Sequence, residues 1–246
     1  MPDDLSILKR TAAAPDETIS YGFDVDQIAD VRYGGERAAT RPLVLLIHGG
    51  FWRPTIDRAH TGPMCVAMAD AAWTVAAIEY RRVPAHPNLT IEDVTSALKS
   101  LPAKIPKHDG RVIVMGHSAG GHLTLWAASA RPMAQLCGAL ALGPVADLQL
   151  AEDLNLGEGA TFKFLGEAPK ARQDLDPKRM PTPVIPVTIV HGEEDDTAPV
   201  SLSESYAAMH ANTRLVKLPG TGHFALIDPL SAAWSTVMAE LEKLAA

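Results

Sequence analysis

A chain of 246 residues, 47% hydrophobic and 21% charged, has the composition of a soluble globular protein with a large core, which excludes disorder, collagen-like repeats and a disulfide-stapled miniprotein. Its formal charge of -7 argues against nucleic acid as a partner, because phosphate-backbone binding is driven by clustered Lys and Arg. The two cysteines, Cys65 and Cys137, lie in apolar surroundings without a second thiol or a His at ligand spacing; they read as small buried hydrophobes, and no metal site is expected.

Met1-Pro2-Asp3-Asp4 lacks the basic region of a secretory signal, and no stretch approaches the roughly 18 apolar residues needed to span a bilayer, so a cytoplasmic protein without a membrane partner is expected. The first 40 residues are polar and predict edge strands or surface chain. Beyond them, short β-branched runs predict strands at Leu43 to Ile47, Val75 to Tyr80, Arg111 to Met115, Ala139 to Leu142, Val187 to Val190 and Arg214 to Leu218. Helix-length segments alternate with them: Gly62 to Ala72, Ile91 to Leu101, Ala119 to Ala130, Leu202 to Ala211 and Ser231 to Leu244. Such alternation predicts an α/β fold with a mostly parallel sheet between helices. The rhythm breaks from Asp147 to Pro186, a stretch with three Gly and five Pro that reads as a short cap insertion over the ligand-binding edge of the sheet. No repeat or linker tract appears, so one domain over residues 1–246 is the simplest organisation.

The segment Gly116-His117-Ser118-Ala119-Gly120-Gly121 directly follows a predicted strand and precedes a predicted helix. A serine on such a turn needs small neighbours, since larger side chains would collide with the adjoining strand and helix, and the turn presents Ser118 Oγ at the strand's carboxyl end. A serine hydroxyl is a weak nucleophile at neutral pH. It needs a base within hydrogen-bond reach, and the base needs an acid that sets its tautomer. Downstream, His191-Gly-Glu-Glu-Asp-Asp196 offers carboxylates at Glu193, Glu194, Asp195 and Asp196, with Asp195 first and Asp196 second among the candidates. Pro219-Gly-Thr-Gly-His223 offers the base, His223. His60, His86 and His108 precede the serine, His122 lies one turn along the same helix, and His210 falls on a predicted solvated helix face. The strand ending at Ile47 runs into His48-Gly49-Gly50-Phe51-Trp52, where backbone can approach a reacting carbonyl closely. The N–H groups of Gly50, Phe51 and Ala119 are therefore the expected oxyanion donors, with His48 structural. Trp52, with Phe51, is the candidate aromatic wall of a substrate pocket, although both side chains also suit a core beneath the loop. Tyr80-Arg81-Arg82 reads chiefly as a source of internal ion pairs.

Taken together, H-G-G at His48, G-H-S-A-G-G-H-L from Gly116, H-G-x-x-D-x-x-x-P from His191 and G-x-G-H ending at His223 resemble the α/β-hydrolase superfamily from about Leu43 to the C-terminus. Within it the chain looks like small serine esterases related to kynurenine formamidases (arylformamidases) and to hormone-sensitive-lipase-like carboxylesterases, although a full H-G-G-G is absent. The resemblance favours Asp195 over Asp196. It implies a triad of Ser118, Asp195 and His223, an acyl-enzyme route for small carboxylic esters or activated amides, and no cofactor or metal. A slow or non-catalytic ligand receptor on the same fold, or a small peptidase related to prolyl oligopeptidase, are the alternatives, and a homodimer is left open.

Overall fold

The alternating apolar runs become an eight-stranded sheet in a computed structural model that describes residues 4–246; Met1, Pro2 and Asp3, at the start of the segment tested for a signal, lie outside the described residues. The strands are β1 (Glu17–Ser20), β2 (Ile28–Arg32), β3 (Leu43–Ile47), β4 (Val75–Ile78), β5 (Val112–His117), β6 (Leu136–Leu142), β7 (Val187–Gly192) and β8 (Thr213–Leu218). They lie in the order β1-β2-β4-β3-β5-β6-β7-β8. From β4 to β8 every pairing is parallel, whereas β1 and β2 form the antiparallel edge expected of the polar N-terminal region. This is an α/β-hydrolase arrangement with a mostly parallel sheet.

The continuous apolar runs have their reason in the side-chain period of two. Leu43, Leu45 and Ile47 enter a core shared with α2 (Pro87–Lys104) and α3 (Ala119–Ala130). Val44 and Leu46 enter the opposite core, shared with α1 (Gly62–Asp70) and α7 (Trp234–Ala245). Both faces of the strand are dry, so neither set can be polar. Predicted boundaries shift where polar chemistry overrides the apolar pattern. Arg111 stays outside β5 because its guanidinium pairs with Asp109 at 2.9 Å, and α2 starts four residues before Ile91, at Pro87, a residue preorganised for a helix's first turn.

Residues 147–186 hold α4 (Leu148–Asp153), α5 (Ala160–Leu165) and two 3₁₀ turns, followed after β7 by α6 (Ser201–Met209). Phe164 and Leu165 of the insertion are buried, while Phe162 is half exposed. His210 corrects its expected solvated position: it caps the end of α6 and is buried, with Nδ1 3.1 Å from Thr182 Oγ1 and Nε2 3.1 Å from Pro177 O. Cys65 is buried, Cys137 is half-buried at 3.2 Å from Val112 O, and both are free thiols. Among the described residues no helix is long and apolar enough to cross a membrane.

Candidate active site

Register brings the motif loops to one edge of the sheet. Ile47 pairs with Gly116, His117 with Leu142, Leu142 with Val190, and Gly192 with Leu218, so β3, β5, β6, β7 and β8 end side by side. The segments that follow them carry His48 to Trp52, Ser118, Gly143, Asp195 and His223.

Ser118 occupies the turn with φ 58° and ψ -119°, a conformation that holds a non-glycine residue under strain of order 1–3 kcal/mol. The surroundings over-determine it: Ser118 N–H donates to Leu142 O at 2.9 Å, and its carbonyl accepts from His122 N–H at 3.0 Å. Gly120 is required by close approach, because a Cβ there would lie 2.0 Å from the carbonyl oxygen of Ile47. The small residues of the motif therefore let α3 start directly against β3.

Asp195 Oδ2 lies 2.6 Å from His223 Nδ1, and both side chains are buried. The other oxygen, Oδ1, accepts the backbone N–H groups of Thr197 at 2.9 Å and Ala198 at 2.7 Å. Burial alone would raise the Asp195 pKa, but hydrogen bonds from His191, His223 and the Ala198 N–H outweigh it and hold the carboxyl well below its ordinary range. Glu193, Glu194 and Asp196 are exposed, so of the loop's four carboxylates Asp195 is the one brought to His223. Gly143, which follows β6, stands against this pair: with φ at 48°, its missing Cβ would be 3.1 Å from Asp195 Oδ2 and 3.2 Å from His223 Nδ1. The motif reading missed Gly143, as it missed His117, whose Nε2 donates to His223 O at 3.1 Å and whose ring packs 4.4 Å from the His223 ring.

Ser118 and His223 line one cavity of about 250 Å³ with Gly50, Phe51, Ile56, Phe224 and Leu8. Trp52 does not line it, which corrects its assignment to the pocket. Its indole is buried, stacked on Phe164 at 4.6 Å and set edge-on to His122 at 5.1 Å. Phe51 and Trp52 both have positive φ, and after that turn Phe51 faces the cavity while Trp52 faces the core under the insertion. No residue of the 147–186 insertion lines the cavity; that part of the wall comes from Leu8, on a 3₁₀ turn anchored by buried Ile7 and by the Arg10–Asp228 ion pair.

The loop from His48 to Arg53 is held from beneath. His48 Nδ1 donates to Gly49 O at 2.7 Å, so the neutral ring accepts at Nε2 from Arg82 Nη1 at 3.2 Å. A Glu79 oxygen 3.0 Å from the same nitrogen is kept there by Arg82 and by Tyr80 N–H, not by the ring. Because a peptide is planar and trans, fixing the Gly49 carbonyl turns the Gly50 N–H to the opposite side. Arg82 also donates through Nε to Arg53 O at 3.2 Å, closing the far end of the loop. The N–H groups of Gly50, Phe51 and Ala119 make no backbone hydrogen bond among the described residues. Arg81 pairs with Asp93 at 2.6 Å, as an internal ion pair. Among the described residues no group of three or more His, Cys, Asp or Glu side chains is placed to hold a metal ion.

Burial keeps several histidines neutral. The pKa of His48 is lowered to about 3 and that of His122 to about 4, and His117 is also held well below the ordinary value, in each case mainly by desolvation. In the unfolded chain the same rings protonate near pH 6.5, so between about pH 6.5 and 4 the unfolded state binds more protons. Their stabilisation is complete above that window and is lost as pH falls through it, by about 1.4 kcal/mol per pH unit for each ring. Denaturant unfolding at stepped pH is expected to lose stability steeply between about pH 6 and 4.5, with uptake of two or more protons; a flat profile would contradict neutral burial.

Known proteins resemble the chain in sequence and in fold. The chain is 33% identical over 127 residues, 47% of its length, to a probable carboxylic ester hydrolase, LipM, of Mycobacterium tuberculosis, but the match spans only 28% of that protein's length. It is 23% identical to the kynurenine formamidase of Salmo salar, over 86% of this chain and 76% of that one. A truncated carbohydrate esterase from gut microbiota superposes with a TM-score of 0.80 at 16% identity, covering 96% of this chain and 99% of the other. Esterase B from Lactobacillus rhamnosis superposes with a TM-score of 0.78 at 20% identity, covering 95% and 87%. The BD-FAE family profile matches residues 29–209, a span from within β2 to the end of α6 that includes Ser118 and Asp195, and the chain belongs to the BD-FAE family.

Proposed function

We propose that the protein is a serine hydrolase that cleaves small carboxylic esters or activated amides through an acyl-enzyme. The observation that carries the reading is the buried 2.6 Å contact between Asp195 and His223, with His223 and Ser118 lining one small cavity. In this reading Ser118 Oγ attacks the carbonyl carbon while His223 Nε2 takes its proton, and Asp195 holds the imidazole and stabilises the imidazolium. The oxyanion receives the N–H groups of Gly50, Phe51 and Ala119. His223 then protonates the departing alkoxide or amine. Water, deprotonated by the same ring, attacks the acyl carbonyl and restores Ser118 as the acid leaves.

The 250 Å³ cavity suits short acyl groups. Both an ester hydrolase and a formamidase stand among the relatives, so the leaving atom is the remaining choice. Specificity constants on acetyl, butyryl and octanoyl 4-nitrophenyl esters and on N-formylkynurenine test the reading. Acetyl and butyryl esters are expected to exceed octanoyl by about tenfold or more, a difference of about 1.4 kcal/mol. Formamidase activity is set aside if esters lead it by orders of magnitude. A fluorophosphonate probe separates the hydrolase from a ligand receptor, since a folded wild type that takes no label has no activated serine.

Arg82 serves here as a positioning residue, because it reaches the reaction only through His48 and the 48–53 loop. Arg82→Met is expected to lower kcat by about 10- to 100-fold while KM moves less than about threefold, since a misdirected donor matters most when negative charge develops. Arg82→Lys should recover part of kcat. Equal loss in kcat/KM and in thermal stability, without a selective fall in kcat, would assign Arg82 to folding alone.

A further inference from the structure

A second cavity, of about 400 Å³, lies beyond Leu8 and His60, which line both it and the cavity of Ser118. Its walls are the N-terminal segment from Leu8 to Pro15, Asp30 and Arg32 of β2, and the turn from Arg58 to Gly62. In a chain of charge -7 this cavity is bordered by four cationic side chains, Lys9, Arg10, Arg32 and Arg58, and by one carboxylate, Asp30. Two of the cations are already neutralised. Arg58 clasps both oxygens of Asp30 at 2.9 and 3.0 Å, and Arg10 clasps Asp228 at 2.5 and 3.0 Å. Asp30 also accepts Thr18 Oγ1 at 2.8 Å, which leaves it little capacity for another donor. His60 adds no charge at neutral pH, since burial, with His48 nearby, lowers its pKa to about 4.

Arg32 is different. It is only 7% exposed, yet among the described residues its hydrogen-bond acceptor is a backbone carbonyl, Ala13 O, and no carboxylate of theirs lies within ion-pair distance. A guanidinium carries five N–H donors and a full charge. One carbonyl supplies neither the remaining acceptors nor the negative charge; no Arg32 nitrogen is both sealed from solvent and unpartnered, so the remaining donors keep contact with solvent, and Arg32 lines the cavity. The fork of donors matches two oxygens on one atom, as in a carboxylate or phosphate.

We propose that this cavity is a binding site for a small oxyanion, a carboxylate or phosphate group, with Arg32 as its counter-charge and Lys9 at the rim. The occupant is either a free anion or a carboxylate at the remote end of a substrate that reaches past Leu8 from Ser118. Only the second source rests on the hydrolase reading.

Titration calorimetry of the full chain with inorganic phosphate and with acetate tests the site. Saturable binding is expected in wild type and in Ser118→Ala alike, and Arg32→Met should weaken it by about tenfold or more. Should Arg32→Met fail to fold through loss of the Ala13 contact, Arg32→Lys, which keeps a charge but not the fork, should weaken it severalfold. No saturable binding to wild type up to about 50 mM, or unchanged binding in whichever variant folds, overturns the proposal. Turnover of 4-nitrophenyl hemiglutarate and of its neutral analogue, 4-nitrophenyl pentanoate, identifies the source. Phosphate that competes with the hemiester alone assigns the site to a substrate carboxylate; phosphate that binds but affects both esters alike, or neither, assigns it to a free anion. If neither ester is cleaved and the phosphonate does not label Ser118, the hydrolase reading fails while calorimetry still decides the anion site.

Discussion

Ser118→Ala is expected to lower kcat on 4-nitrophenyl acetate by about 10⁴-fold or more and to abolish labelling by a fluorophosphonate, while the thermal unfolding curve stays close to wild type. The size of the effect follows from chemistry: without Oγ there is no acyl-enzyme, and what remains is oriented water with oxyanion stabilisation. The fold is expected to survive because the Ser118 turn is held by backbone hydrogen bonds to Leu142 and His122, and Ala fills the space of Ser without the hydroxyl. Its φ of 58° is strained for Ser and Ala alike, so the substitution leaves that term nearly unchanged. Turnover within about tenfold of wild type would remove Ser118 from the mechanism and leave the receptor reading.

Asp195→Asn should reduce kcat by about 10⁴-fold with little change in shape, because it reverses a tautomer. Two backbone N–H groups, from Thr197 and Ala198, are directed at Oδ1, so the asparagine oxygen will occupy that position and the amide nitrogen will face His223. An N–H facing Nδ1 makes that nitrogen an acceptor and moves the proton to Nε2, the atom required as base. The imidazolium also loses its counter-charge. Steady-state kinetics together with the ¹H resonances of the His223 ring report both consequences. A loss of less than about tenfold would mean that Asp195 holds the Thr197 turn and not the imidazole.

How much was legible in the chain depends on how local each signal is. The elbow at Ser118 is local: a short strand, small residues on either side of the serine and a helix behind it occur within about 20 residues, and the need for Gly120 follows from the 2.0 Å that a Cβ there would leave to Ile47 O. The loops ending at Asp195 and His223 were similarly marked by strand ends and Gly-rich turns, and the resemblance ordered the carboxylates. Trp52 was not decidable in this way. Phe51 and Trp52 are equally apolar neighbours, and which one faces the cavity is set by two successive positive φ angles and by Phe164, more than 100 residues away. Leu8 left no signal at all, since a leucine in a polar segment acquires a role only when Ile7 and Arg10 anchor that segment beside the site. His210 misled because a helix-length pattern says nothing about the Pro177 carbonyl and the Thr182 hydroxyl that meet its ring.

By itself, the sequence determined the layered α/β alternation, the strand whose end carries Ser118 and the short set of residues from which a base and an acid could come, because these rest on side-chain period, steric size and turn chemistry within a few residues. Only the tertiary structure decided that Asp195 meets His223, that Phe51 and Leu8 wall the cavity in place of Trp52, and that Arg32 lines a second cavity with no carboxylate partner among the described residues. Each of those depends on strand register and on segments distant in the chain packing against one another, and a local pattern carries no record of its distant neighbours.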